Sequence, residues 1–326
     1  GEVAFDLNDQ FTITAGARWY DIEVDLEGSA AGSFGNFGAS ADNNMGNNLD
    51  TLFSGVNPDT ASADGTITKL SLSWTPNADS LFYATFSEGF RPGLLNRPGG
   101  ATNPSGTFTV PFAVDTDELT NYELGWKLDL LDSNLRFNGA VFFSDIEDLQ
   151  TGIFDASITN LFFTDNAADA EVKGVEGDIL WMPESLDGLT VSGSFAFNDS
   201  EITKVITPTN DVTKGDSLAF APEFQFSLRA RYEWGIGSGR VAHFMPHATY
   251  SDASYSDIIT INRAKMDDWL MLGFTAGVTV DNWSAEFFAE NITDETAEIS
   301  RSFIYDRHRS YYARPFTGGI RLTYDF

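Results

Sequence analysis

The chain has 326 residues, with 48 acidic and 19 basic side chains, a net charge of −29 and no cysteine. That balance sets aside nucleic acid and an anionic lipid surface as electrostatic partners, and the missing thiols exclude disulfides, Cys-ligated zinc and a thiol nucleophile. A hydrophobic content of 42%, a mean hydropathy of −0.17 and a longest nearly apolar run of only 270–280 exclude a helical membrane protein, so only a β-barrel would cross a bilayer.

Residues Gly1-Glu-Val-Ala-Phe-Asp-Leu7 have neither the charged nor the apolar region of a signal peptide. They read as the tail of a strand already in progress, with the expectation that an N-terminal part of the protein lies outside this chain. About twelve full strands of period two follow, bounded by Gly, Asn, Asp or Pro clusters: 10–25, 66–76, 80–90, 116–131, 134–149, 169–182, 188–203, 220–234, 239–252, 264–280, 282–293 and 311–326. In 223–234, Phe224, Phe226, Leu228, Ala230, Tyr232 and Trp234 alternate with Glu223, Gln225, Ser227, Arg229, Arg231 and Glu233. Charged residues on alternate steps make a poor sandwich core and a good barrel lumen.

Connections alternate between short ones (77–80, 131–134, 235–239, 281–282) and long ones (26–65, 91–115, 150–168, 204–219, 253–263, 294–310). Outer-membrane barrels have that asymmetry, with short periplasmic turns and long outer loops. Segment 26–65, rich in Gly, Asn, Asp, Ser and Ala, reads as an irregular loop. The last strand sets Phe316, Gly318, Ile320, Leu322, Tyr324 and Phe326 on one face, a terminal pattern common in outer-membrane barrels. An aromatic content of 14% fits girdles at two membrane interfaces. The expected fold is all-β, a transmembrane antiparallel barrel.

Several segments then carry a family likeness: Phe11-Thr-Ile-Thr-Ala-Gly-Ala-Arg18, Leu81-Phe-Tyr-Ala-Thr-Phe-Ser-Glu-Gly-Phe-Arg-Pro-Gly93, Asn121-Tyr-Glu-Leu-Gly-Trp-Lys127, Asn138-Gly-Ala-Val-Phe-Phe-Ser-Asp145, Lys173-Gly-Val-Glu-Gly-Asp178, Ala289-Glu-Asn-Ile-Thr-Asp294 and Arg314-Pro-Phe316 through Phe326. In this order and spacing the chain, across residues 1–326, resembles the C-terminal part of the β-barrel of a TonB-dependent outer-membrane receptor. The resemblance implies a twenty-two-stranded barrel filled by an N-terminal plug, with that plug and the first strands absent from this chain. It also implies the outer membrane of a Gram-negative bacterium, with membrane lipid and lipopolysaccharide around the barrel, TonB reached through the plug, and the barrel-assembly machinery reading the terminal strand at Leu322, Tyr324 and Phe326. Deleting Phe326 is accordingly expected to impair insertion more than ligand recognition.

No catalytic constellation accompanies His243, His247 and His308, and neither an enzyme nor a cofactor is expected. His243, Met245 and His247 share a strand face; a haem or copper site competes there with a polar lumen wall, and their roughly 6.8 Å spacing is wide for one small ion. Acidic clusters at 21–25, 115–118 and 145–148 lack the spacing of a calcium loop, which leaves a solvated surface as the reading and no metal assigned. Arg18, Arg136, Arg229, Arg231 and Arg321 are expected to pair with inward carboxylates such as Glu223 and Glu286, or with the plug.

The ligand-binding candidates are the few cations of the long loops. Arg91, Asn96 and Arg97 lie in Phe90-Arg-Pro-Gly-Leu-Leu-Asn-Arg-Pro-Gly99, and Arg301, Arg307, His308 and Arg309 in the last outer loop. Arginine forks suit the carboxylates or catecholates of an anionic iron chelate; the competing reading of Arg91 and Arg97 is loop shaping or pairing with an acidic neighbour. The leading expectation is energy-coupled uptake of a scarce large nutrient, most often a ferric siderophore in this family. The alternatives are a passive porin-like channel and an outer-membrane hydrolase, the latter needing Ser, His and a carboxylate near an outer rim where His308 is the sole histidine.

Overall fold

The computed structural model describes residues 1–25, 60–96, 99–154, 158, 162–207, 211–304 and 307–326. Alternation of apolar and polar side chains produces strands throughout. They are β1 (Glu2–Asp6), β2 (Phe11–Asp25), β3 (Thr60–Asn77), β4 (Ser80–Arg91), β5 (Asp117–Leu130), β6 (Leu135–Ile153), β7 (Phe163–Trp181), β8 (Leu189–Val205), β9 (Phe224–Gly237), β10 (Arg240–Ser251), β11 (Ser254–Tyr255), β12 (Lys265–Met266), β13 (Trp269–Val280), β14 (Trp283–Glu290), β15 (Glu298–Ile304), β16 (Arg307–Tyr312) and β17 (Thr317–Tyr324).

Thirteen strands form one antiparallel sheet in the order β1-β2-β3-β4-β5-β6-β7-β8-β9-β10-β13-β14-β17. This is the partial strand and twelve full ones expected from the alternation. Each strand pairs with its neighbours in sequence, and among the described residues β1 and β17 are the two edges. The short connections lie at one end of the sheet and the long ones at the other. The C-terminus sits at the short-turn end, where Asp325 N–H donates to the Asn282 carbonyl at 3.0 Å. One of these tight turns, β9 to β10, places Gly237 and Gly239 at φ of 88° and 70°, a region open to glycine at little cost.

One face of the sheet is a continuous apolar surface. The directly opposed residues Leu72, Ala84, Leu124, Val141, Val175 and Phe197 cross six strands from β3 to β8. Leu70, Leu124, Ile320 and Leu322 are more than half exposed on it, which in water would leave a large uncovered patch. Moving a Leu or Phe side chain out of water is worth about 1.5–3 kcal/mol, so this face calls for a hydrocarbon environment. β6 and β7 have 19 residues each, about 60 Å at roughly 3.3 Å per residue, longer than a hydrocarbon layer about 30 Å thick requires. Their long-loop ends therefore project beyond it.

The opposite face is polar and internally bonded. Tyr83 Oη donates to Glu123 at 2.6 Å, Asn138 Nδ2 to Asp178 at 3.0 Å and Arg136 Nε to Asp129 at 2.7 Å. Arg321 meets Glu286 at 2.8 Å and Arg231 meets Glu233, both inward carboxylates as expected; Arg229 instead donates to Ser192. His243 and His247 turn to separate carboxylates, Glu286 at 3.1 Å and Glu290 at 2.7 Å. Both rings cross β13 where it carries Gly277 and Gly273, whose absent Cβ atoms leave the passage open.

The buried hydrophobic core lies among the long loops. Phe108 and Val110 from the β4–β5 loop pack with Ile153, Ile158, Phe163 and Ile202 at the ends of β6–β8, and with Val212, Ile258 and Ile259 from the next loops. This packing shifts several expected boundaries. β6 runs on to Ile153 and β7 starts at Phe163, because their ends are held by the loop core. Within the expected strand 264–280, Lys265–Met266 pair with Ser254–Tyr255 and the main-sheet strand starts at Trp269. Tyr311–Tyr312 likewise belong to a separate β15–β16 hairpin, and β17 starts at Thr317 after Pro315 removes a ladder donor. Residues 60–65, placed in an irregular loop by composition, pair with β2.

Candidate ligand-binding mouth

The long-loop end divides into a braced wall over β4–β13 and a separate hairpin, β15–β16. In the wall, Arg91 ends β4 beside Asp117, the first residue of β5. Its Nε donates to Asp117 Oδ2 at 2.8 Å, its backbone N–H to Oδ1 at 3.0 Å, and its Nη2 to both Asp117 and the Gln150 carbonyl. Asp117 is 7% exposed and Arg91 57%, so the carboxylate is committed to the wall while the guanidinium keeps an open side. Gln150 completes the brace, its Nε2 donating to the Pro92 and Asp115 carbonyls at 3.1 and 3.0 Å. This is the acidic-neighbour pairing weighed for Arg91 from sequence.

Asn96 is buried and fully engaged. Its Nδ2 donates to the Pro111 and Thr164 carbonyls at 2.9 and 2.7 Å, and its Oδ1 accepts from Thr164 N–H at 2.8 Å. It staples the β4–β5 loop to the start of β7. Arg97 lies outside the described residues.

Sequence reading missed two braces. Asn166 donates to the Asp115 and Asp148 carbonyls at 2.9 and 2.7 Å and accepts from Asp115 N–H. Arg263 donates to the Ser217 and Asp257 carbonyls at 2.9 Å each and lies 3.8 Å over the Tyr255 ring, tying the β8–β9 loop to the β10–β13 loop. Burial pushes the nearby Asp257 carboxyl above its usual range, with backbone N–H groups, Asn262 and Arg263 opposing that shift. Isolated Asn and Arg residues in loops have no period to betray them; the apolar pair Ile258-Ile259 inside a loop was the available signal that this segment is packed.

The β15–β16 hairpin carries the second set of candidates. Its base is set by Asn291, 4% exposed, whose Nδ2 donates to the Glu295 and Arg314 carbonyls at 2.9 and 3.0 Å. Asp294 Oδ1 accepts from Phe316 N–H at 2.8 Å. The Asn-Ile-Thr-Asp and Arg-Pro-Phe segments are thus two halves of one clasp that closes the last long loop. Along the hairpin, Arg301 lies against Glu298, Nε to Oε1 at 2.7 Å and Nη2 to Oε2 at 2.5 Å. The His308 ring stands 4.2 Å from Phe303. Arg307, His308 and Arg309 are exposed in sequence along β16, as are Tyr311 and Tyr312. The structure therefore gathers Arg307, His308 and Arg309 on β16 with Arg301 on β15 of the same hairpin, and places Arg91 and Asn96 in the bracing of the β4–β13 wall.

The Arg301 hydrogen bond holds the Glu298 carboxyl below its ordinary value of 4.5; burial opposes this and Ser310 assists it. A carboxylate with a depressed folded pKa contributes stability that is complete above the unfolded value and is lost as pH falls through the folded one. Protection of β15–β16 amides, corrected for intrinsic exchange, is therefore expected to drop below about pH 4.5 in the wild type. Glu298→Gln should already show the reduced protection at neutral pH, with little further change on acidification.

Comparison with known proteins places this architecture. The curated metal-pseudopaline receptor CntO of Pseudomonas aeruginosa is 28% identical over 165 residues, which cover 50% of this chain and 21% of that protein. The probable TonB-dependent siderophore receptor PiuA of Acinetobacter baumannii is 22% identical over 198 residues, 57% of this chain and 24% of that protein. The chain thus matches less than a quarter of the length of these relatives. Among solved structures, the ferric yersiniabactin uptake receptor FyuA of Yersinia pestis superposes with a TM-score of 0.72 at 16% identity, covering 100% of this chain and 44% of that one. The ferripyoverdine receptor of the outer membrane of Pseudomonas aeruginosa gives 0.66 at 16% identity, covering 100% of this chain and 38% of that one. The family described as "TonB dependent receptor-like, beta-barrel" matches residues 1–292, and with thirteen antiparallel strands in sequential order the chain belongs to that family of TonB-dependent receptor β-barrels.

Proposed function

We propose that this chain forms the C-terminal portion of the barrel wall, and part of the ligand-receiving mouth, of an outer-membrane transporter that takes up a ferric siderophore or similar anionic chelate. The observation that carries the reading is the exposed Arg307-His308-Arg309 run on β16, at the long-loop end of a protein with net charge −29. A mouth that otherwise repels anions gains a local cationic surface there, which raises the encounter rate with an anionic ligand. Names of the relatives, a metal-pseudopaline receptor and a siderophore receptor, support the same substrate class.

In this proposal the outer loops capture the chelate and close over it, and an N-terminal plug inside the completed barrel, pulled by TonB, releases it inward. The remaining wall strands and the plug come from polypeptide beyond these residues, a reading supported by the 44% coverage of the FyuA chain. Membrane lipid and lipopolysaccharide surround the barrel, and the barrel-assembly machinery reads Leu322, Tyr324 and Phe326. Phe326 is fully exposed and edge-on to Tyr324 at 5.1 Å. Its deletion should lower the amount of assembled receptor in the membrane while the assembled fraction binds ligand normally; unchanged membrane levels would remove this role.

Replacing Arg307 and Arg309 together by alanine tests the ligand reading. Two charge-assisted contacts are worth on the order of 1.5–3 kcal/mol each when desolvated and less at an exposed rim, so affinity for a carboxylate or catecholate iron chelate should fall about 10–100-fold at low salt. The loss should shrink as salt rises, because screening already weakens the wild-type attraction. Heat-modified migration should stay normal. Equal affinity in variant and wild type would move the ligand site away from the hairpin. Chelate passage without TonB would favour a passive channel.

A further inference from the structure

The apolar face has a groove of about 550 Å³ across β3–β6. Its floor is the row Leu72, Ala84, Leu124 and Val141, where the single methyl of Ala84 stands between two leucines. The next row toward the long loops is tall: Phe86 lies 5.4 Å from Tyr122, and Tyr122 lies 6.4 Å from Phe143, ring centre to ring centre. That aromatic rim beside a shallow floor makes the groove. Thr85 and Glu123 border it through their backbones only, since their side chains turn to the other face and bond Ser71 at 2.9 Å and Tyr83 at 2.6 Å.

We propose that this groove is a binding site for one acyl chain of a membrane lipid, held with its head group at the rim. The proposal rests on reading the sheet as an outer-membrane barrel wall, and the groove is continuous with the exposed apolar face that meets lipid. A protein partner would bring polar groups for which the floor has no hydrogen-bonding side chain. The rim also marks the level at which the apolar surface ends. Two residues further along, on the same face, Thr120, Asp145, Glu171 and Glu201 stand directly opposite one another, and Lys173, paired with Asp199 at 3.1 Å, stands opposite Phe143. A lipid tail in the groove therefore ends where charged side chains begin, and the half-exposed Tyr122 ring sits at that boundary.

The test uses the full receptor reconstituted in phosphatidylethanolamine vesicles that carry a trace of lipid with a photoactivatable acyl chain. Crosslinks in the wild type should concentrate on 70–86 and 122–143, at least fivefold above β17, which does not line this groove. Ala84→Phe, or Val141→Phe should the first variant fail to assemble, fills the floor and should reduce those crosslinks to the β17 level. Native mass spectrometry should show one fewer retained lipid in the filled variant. Uniform crosslinking of all strands, equal retention by filled and wild-type receptors, or a second receptor copy protecting the groove would each overturn the site. Wild-type receptor that does not insert at all would overturn the outer-membrane reading and the groove with it; insertion without local enrichment sinks the groove alone.

Discussion

Replacing Gly273 and Gly277 together by alanine is expected to lower the stability of the assembled barrel by several kcal/mol. A Cβ on Gly277 would lie 2.6 Å from His243 Cε1 and 2.8 Å from the Ala285 carbonyl oxygen; one on Gly273 would run into His247 Nε2 and lie 2.8 Å from the Ala289 oxygen. Each ring must then leave the surface of β13 and give up its glutamate. Overpacking costs about 1–3 kcal/mol per site, and the lost hydrogen bond to a charged acceptor adds about 1.5–3 kcal/mol where it is buried. His243 is 8% exposed and is the site where the full cost applies; Glu290 is 48% exposed, so the second rung contributes less. The measurement is the urea midpoint of the refolded barrel in lipid vesicles, with heat-modified migration as the assembly check. Gly235→Ala, where a new Cβ meets nothing within 4 Å, should be near neutral. In a His243→Ala background Gly277→Ala should cost less, since the clashing ring is gone and only the approach to the Ala285 oxygen remains. Additive losses in that cycle would show that the histidine does not use the gap.

The alternation along the strands is what made the wall legible before any coordinates. A period of two with Phe224, Phe226 and Leu228 against Gln225, Ser227 and Arg229 leaves one solution for each face, and the alternation of short and long connections orders the strands. The Arg321–Glu286 pair could be anticipated because two inward charges of opposite sign on neighbouring strands seek each other. What stayed hidden depends on contacts distant in sequence. His-x-Met-x-His invites a shared ion when read along one strand, whereas the glycines of β13 and the glutamates of β14 determine where the rings point. Asn96, Gln150, Asn166 and Arg263 gain their roles from carbonyls 6 to 68 positions away, and no local pattern announces such partners. The loop core escaped notice for a related reason: Phe108, Val110, Val212 and Ile259 are scattered among polar residues and become a cluster only once four loops meet. Glycine-rich composition also overextended the first long loop by the six residues that pair with β2.

Asp117→Ala is expected to destabilise the loop end of β4–β6 by about 3 kcal/mol, and Arg91→Ala by about 1–2 kcal/mol. The asymmetry follows from exposure. Asp117 accepts from the Arg91 side chain, from Arg91 N–H at 3.0 Å and from Gln150 N–H at 3.3 Å, so its removal leaves two backbone donors without their carboxylate. Arg91 keeps one side open to water, and its removal leaves Asp117 the two N–H groups. Both variants should loosen the β4–β5 loop, seen as faster amide exchange across 92–116, because Gln150 and Asn96 hold carbonyls on either side of the pair. The functional signature then separates wall from ligand contact. Loss of chelate affinity through a loosened wall should be nearly independent of salt and should accompany the loss of stability, while the Arg307 and Arg309 effect shrinks as salt rises and leaves the β4–β6 wall unchanged. Chelate binding by Arg91→Ala that weakens only at low salt, with unchanged amide exchange, would make Arg91 a direct contact of the anionic ligand and return the first long-loop arginine to the binding site.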